Sequence, residues 1–129
     1  MMNQPIRVVV ANRPRLMREL LIEAIVEQPD IEILAEIQNE PDIGRIVDEK
    51  RPDILIIALE DSDVRPTICD ILLQRFPAMK ILAVSPDRNS SMFYWASMDI
   101  HESQVEVSEA GILNTLRGKG NVYEVKNAS

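Results

Sequence analysis

Four short apolar runs, separated by stretches of helical periodicity, constrain the fold of this chain more than any other feature. They are Ile6–Ala11, Ile31–Ile37, Ile54–Leu59 and Lys80–Val84. The first and third runs are apolar almost throughout, which is typical of strands covered on both faces. The second run alternates with Glu32 and Glu36, as an edge strand does. The pattern predicts a strand at each of the four places.

Amphipathic helices are predicted between these strands. In the first helix one face collects apolar residues, with Asn12 placed as its N-cap; that face contains Met17, Leu20, Leu21, Ala24 and Ile25. Asn39 precedes the second helix, and the third begins near Pro66 with Ile68, Ile71, Leu72 and Leu73 on its inner face. Strands that alternate with helices over short connections predict a parallel sheet with right-handed crossovers. We therefore expect an α/β, doubly wound, flavodoxin-like sheet of five mainly parallel strands with helices on both faces.

The last third of the chain completes this scheme. Gln104–Val107 is the preferred fifth strand, and Ser108 caps a final helix that ends near Gly118. These assignments predict one domain over residues 1–118, followed by a flexible tail at 119–129.

Composition narrows the function classes. The 129 residues are 46% hydrophobic, enough for one folded domain. The net charge of −7 disfavours direct binding to nucleic acid or to an anionic membrane surface. One cysteine, Cys69, and one histidine, His101, cannot assemble a Cys/His metal cluster within a single chain. With no apolar segment long enough to cross a membrane and no signal-peptide pattern, we expect a cytoplasmic protein without metal or cofactor.

Several segments, in their order and spacing, resemble the receiver domains of bacterial two-component response regulators, the CheY-like family. The resemblance covers residues 6–80 nearly without gaps and extends more loosely to 117; its segments are Ile6–Arg13, Leu16–Glu19, Pro29–Ile33, Arg51–Ile57 and Phe76–Leu82. It implies a phosphoryl-transfer site at the carboxyl ends of the strands. In the family this site has an acidic pair after the first strand, an acceptor Asp after the third, a Ser or Thr after the fourth and a Lys after the fifth.

The residues required for that chemistry are replaced here. The acidic pair falls on Asn12 and Arg13, and the acceptor falls on Ala58, which has no oxygen to phosphorylate. Only the hydroxyl position is retained, as Ser85, and no Lys occurs between Lys80 and Lys119. Glu60 and Asp61 lie past Ala58, where a carboxylate is displaced from the acceptor position, and we expect one of them to pair with Arg13. The resemblance therefore implies a degenerate receiver with a vestigial pocket and no enzymatic activity.

The region of the family's fourth helix is predicted to be shortened or altered, because an aromatic segment occupies it. This segment, Met92-Phe93-Tyr94-Trp95, could begin a short helix or form a strand. Its side chains could fill the core, form a protein interface, or do both, since aromatic residues and Met are enriched at such contacts.

Four functions follow from these observations. We expect a phosphorylation-independent signalling domain that acts through a protein partner or as a homodimer. The alternatives are a sensor of a small anionic ligand that binds where Asn12, Arg13 and Ser85 converge, the N-terminal regulatory part of a transcription regulator and, least favoured, an enzyme.

Overall fold

The computed structural model describes residues 4–61, 63–85, 90–97 and 100–118. Its strands are β1 (Ile6–Ala11), β2 (Ile31–Glu36), β3 (Ile54–Ala58), β4 (Lys80–Ser85), β5 (Ser90–Ala96) and β6 (Ile100–Glu106). Its α-helices are α1 (Arg15–Val26), α2 (Ile43–Lys50), α3 (Thr67–Arg75) and α4 (Glu109–Leu116), and a single 3-10 turn, Glu40–Asp42, precedes α2. The predicted tail, residues 119–129, lies outside the described residues.

The six strands form one mixed sheet in the order β2-β1-β3-β4-β5-β6. Pairing is parallel from β2 to β4 and antiparallel from β4 to β6. The order of the first four strands is that of flavodoxin-like doubly wound folds, so the α/β prediction is confirmed in this coarser form.

The prediction of five mainly parallel strands is wrong, because the aromatic segment forms a strand of its own. Residues 86–89 alone separate β4 from β5. A parallel crossover needs about a dozen residues, so a connection this short can only return the chain antiparallel to β4. The strand predicted at Gln104–Val107 is accordingly the sixth strand, β6, which starts earlier, at Ile100.

Helices cover both faces of the sheet, as predicted. One core lies under α2 and α3, and the other lies under α1 and α4. Helix α4 begins as the sequence indicates, since the Ser108 hydroxyl accepts a hydrogen bond from the Gly111 amide at 2.9 Å. Two residues assigned to inner helical faces are instead largely exposed, Leu20 at 52% and Ile71 at 60%. None of the described helices combines the length and the apolar character needed to span a membrane.

Candidate functional site

Strands β1, β3 and β4 end at the same edge of the sheet because they run parallel. A cavity of about 330 Å³ opens at this edge, between the ends of β1 and β3 and the starts of α2 and α3. Arg13 and Ala58 line it, as the sequence predicts for a vestigial pocket. Carboxyl edges of this kind are where doubly wound folds bind ligands, so this cavity is the first candidate site.

Arg13 is held by carboxylates. Its guanidinium lies 2.6 Å from the Glu60 carboxylate and 3.4 Å from that of Glu40. The predicted pairing of Arg13 with an acidic residue after β3 is therefore confirmed, with Glu60 as the partner. Asp61 makes a different contact, since its carboxylate accepts a hydrogen bond from the Asp63 amide at 2.9 Å.

Asn12 and Ser85 do not open onto this cavity, which corrects the expectation that they converge there with Arg13. Asn12 is fully buried, and its side-chain amide donates to the Ile57 carbonyl at 2.8 Å. This contact fastens the end of β1 to β3, and it replaces the predicted N-cap role, which falls to Pro14. Ser85 is 3% exposed and pairs in the sheet with Ser90. Neither residue is among the described side chains that line the cavity.

The cavity also collects polar residues that sequence reasoning did not select. They are Gln38 and Glu40 after β2, and Arg65 and Thr67 at the start of α3. For Gln38 and Glu40 the available signal was a position just after a strand end, and for Arg65 and Thr67 it was a position at the start of the helix that follows β3. Arg65 donates to the Asp70 carboxylate at 2.7 Å, and this hydrogen bond raises the pKa of its guanidinium further.

The charged side chains that line the cavity carry a net negative charge. Two cations, Arg13 and Arg65, face three carboxylates, those of Glu40, Glu60 and Asp61. Because both guanidinium groups already have carboxylate partners, an incoming anion would have to displace them and would also meet the remaining negative charge. The electrostatics therefore do not favour an anionic ligand. Across the described ranges, no three Asp, Glu, His or Cys side chains gather as metal ligands would.

The candidate interface segment is mostly core. Met92, Phe93 and Tyr94 are between 1% and 8% exposed. Desolvation in this interior, more than any neighbouring charge, raises the pKa of the Tyr94 phenol well above its usual range. Trp95 alone is half-buried, and its indole stacks on His101 in β6, with ring centroids 5.0 Å apart. An interface through this segment would thus depend on Trp95 and His101.

A second depression lies on the opposite side of the sheet, between α1 and α4, with a volume of about 510 Å³. Its floor and walls are largely apolar; the residues involved include Met17, Leu20, Leu21, Ala24, Val84 and Ile112. Sequence reasoning assigned several of these to the core and did not anticipate that α4 would stand apart from α1.

Comparisons of the chain with models of protein families, with curated proteins and with solved structures gave no match. What the protein does must accordingly be argued from its own residues.

Proposed function

We propose that this chain is a receiver-like module that does not accept a phosphoryl group and that acts by binding another protein. The observation that carries the proposal is Ala58, which ends β3 at the rim of the cavity and has only a methyl side chain. Phosphoryl transfer to a receiver requires an attacking carboxylate at that place, and a methyl group has no lone pair to offer. The parallel half of the sheet and the sequence resemblance both support the comparison with receivers.

The neighbouring polar groups are consistent with a structural role. The side-chain amide nitrogen of Asn12 donates a hydrogen bond to the Ile57 carbonyl, inside the core. By the sequence resemblance, Arg13 takes the position of a carboxylate that would hold a divalent cation in a receiver, and its guanidinium pairs with Glu60 and Glu40. A cation placed there repels a second cation at the same point. Under this proposal the domain is not an enzyme and needs no cofactor.

Exposed apolar side chains support action through a partner. Leu16 and Leu20, one turn apart on α1, are 66% and 52% exposed. Apolar side chains that cluster on one surface are typical of protein contacts. The anionic-ligand alternative lacks comparable support, given the negative balance of the cavity.

The test is incubation of the full chain with acetyl phosphate and Mg²⁺, followed by intact mass spectrometry at neutral pH. We expect no mass increment of a phosphoryl group. If an adduct formed, the variants Glu60→Gln and Asp61→Asn would show whether a displaced carboxylate serves as acceptor. An adduct lost in either variant would refute the proposal, and so would an adduct that survives in both.

A further inference from the structure

The groove between α1 and α4 has the features of a binding surface for a helix. Along α1 its lining follows the spacing i, i+3, i+4, i+7, through Met17, Leu20, Leu21 and Ala24. This spacing places the four residues in one stripe along about two turns of helix. Val84 of β4 forms part of the floor, and Ile112 lines the α4 side.

Contacts between the end of α4 and the segment after α1 bound one end of the groove. Arg117, just after α4, donates to both carboxylate oxygens of Asp30, at 2.7 and 3.0 Å, and also to the side chain of Gln28. These contacts tie the end of α4 to the segment that follows α1. At the opposite end, near Met17 and Glu109, the described residues form no such tie between the helices. The deepest lining residues, such as Val84 and Ile112, are nearly fully buried, so the apolar surface open to a partner comes from Leu20, at 52% exposure, and from the half-buried Met17 and Ala24.

The rim of the groove is acidic. Glu23 and Glu27 line it from α1, and Glu109 lines it from α4, with no Lys or Arg among the described lining residues. Within the described part of the chain, none of these three carboxylates forms an ion pair, although most other charged helical residues do. An apolar floor between unpaired carboxylates is complementary to an apolar stripe flanked by cations.

We propose that this groove binds an amphipathic helix of a partner protein, with Leu-like side chains facing Leu20 and Met17 and with Lys or Arg side chains facing the three carboxylates, Glu23, Glu27 and Glu109. The inference rests on the proposed function, because it gives the binding module its surface and the chemistry of its partner. A second copy of this chain is a poorer occupant. It would bring its own acidic rim and a net charge of −7 against the same carboxylates.

The experiment uses the full chain and a fluorescent peptide of about 18 residues, long enough to form a helix on binding. Its leucines follow the spacing i, i+3, i+4, i+7, and lysines flank them. Two further peptides serve as controls, one with the same composition in scrambled order and one with Glu in place of Lys. Fluorescence anisotropy at low and at physiological salt measures the affinity.

Matched variants locate the binding surface. Leu20→Gln removes an apolar contact in the groove, and we expect it to weaken binding roughly five- to tenfold. Ile71→Gln changes an equally exposed apolar residue on α3 and should leave the affinity unchanged. The double variant Glu23→Gln/Glu27→Gln should weaken binding and reduce its salt dependence. Glu32→Gln/Glu102→Gln alters the net charge equally, away from the groove, and should do neither.

Several results would overturn the inference. Equal binding of the three peptides, or equal effects of the groove and control variants, would mean that the groove does not recognise a basic helix. A dimer in sedimentation that Leu20→Gln dissociates would make a second copy the occupant. The Tyr123→Ser variant changes a large side chain of the tail at residues 119–129. If the peptide bound only to this variant, the chain's own tail would be the occupant of the groove. None of these results bears on the phosphorylation test, so the two proposals fail separately.

Discussion

Substitution of Gly111 in α4 provides the sharpest test of how this helix packs against the end of β6. Glycine inside a helix usually costs stability, and its replacement by alanine usually adds about 0.5–1 kcal/mol to the free energy of unfolding. At Gly111 the added methyl group would overlap the backbone carbonyl oxygen of Glu106. It would also lie 3.1 Å from the Ser108 hydroxyl, which caps the helix through the Gly111 amide.

At Gly111 we therefore expect the alanine substitution to lower the free energy of unfolding instead of raising it. Relief of the overlap requires α4 to shift away from the end of β6, which strains its packing and lengthens the capping hydrogen bond. Overpacking of this kind costs about 1–3 kcal/mol, and a lost cap costs about 1 kcal/mol. After the gain in helix propensity is subtracted, we expect Gly111→Ala to lower the free energy of unfolding by about 1–3 kcal/mol.

Gly44 in α2 is the matched control, because a methyl group added there meets nothing within 4 Å. Gly44→Ala should raise the free energy of unfolding by about 0.5–1 kcal/mol. Urea denaturation followed by circular dichroism measures both variants, and an unchanged slope against urea would show that they differ in stability alone. If both variants were stabilised to a similar degree, α4 could not approach β6 as described, and the α4 wall of the groove would have to be redrawn.

Further predictions concern burial and charge. Tyr94 keeps its proton in both the folded and the unfolded chain below about pH 10. Above that pH the phenol ionises first in the unfolded chain, because burial raises its pKa in the folded chain. The free energy of unfolding should therefore fall by up to about 1.4 kcal/mol per pH unit. Chemical denaturation between pH 9 and 11 should show a shallower decline in Tyr94→Phe. Burial raises the pKa of the Cys69 thiol to about 12, so native protein at pH 8 should react with iodoacetamide far more slowly than unfolded protein, as mass spectrometry can follow. Asn12→Ala, which removes the side-chain hydrogen bond to the Ile57 carbonyl, should lower the free energy of unfolding by about 0.5–1.5 kcal/mol in urea denaturation. Arg13→Ala should cost less than about 1 kcal/mol, because its ion pairs are exposed.

The parallel half of the fold could be predicted from sequence because two signals agreed there. Short apolar runs gave strands, and amphipathic stretches between them gave helices. In the Met92–Trp95 segment the signals conflict, since a short run with apolar side chains in every direction fits a buried strand as well as a helix. The short connection from β4 decides the matter, but its length becomes known only once the end of β4 and the start of β5 are fixed.

The candidate site was predictable in part for a similar reason. The pairing of Arg13 with Glu60 follows from charge and from loops at a common sheet edge. The absence of Asn12 from the cavity lining follows from the alternation of side chains along β1, because the cavity lies on the side of α2 and α3. Val8 and Val10 face α1 and α4, and Asn12 continues that alternation, whereas Ala83 and then Ser85 follow the face toward α2 and α3. Reasoning from strand ends alone places the residues at the correct edge without deciding the side of the sheet.

The added hairpin also explains why the sheet is incompletely covered. Six strands about 4.8 Å apart make a sheet roughly 24 Å wide, whereas two helices packed at about 10 Å each cover roughly 20 Å. Helix α1 packs on β1 and β2, and α4 packs on β6. The strand residues between the two helices are nevertheless buried, at 6% exposure or less, among them Ile56, Leu82 and Phe93.

The two faces of the sheet differ in the side chains that occupy the places the helices do not cover directly. On the side of α2 and α3 the uncovered strand is β6, and its outward residues there are Glu102, Gln104 and Glu106, all exposed and polar. On the side of α1 and α4 the strand residues are covered by helix side chains, and the apolar side chains that remain open there are those of Leu20, at 52% exposure, and the half-buried Met17. Geometry alone would allow polar residues in both places. Most of the apolar lining belongs to the core, but the exposed Leu20 does not, and a docked helix would give its side chain an apolar partner.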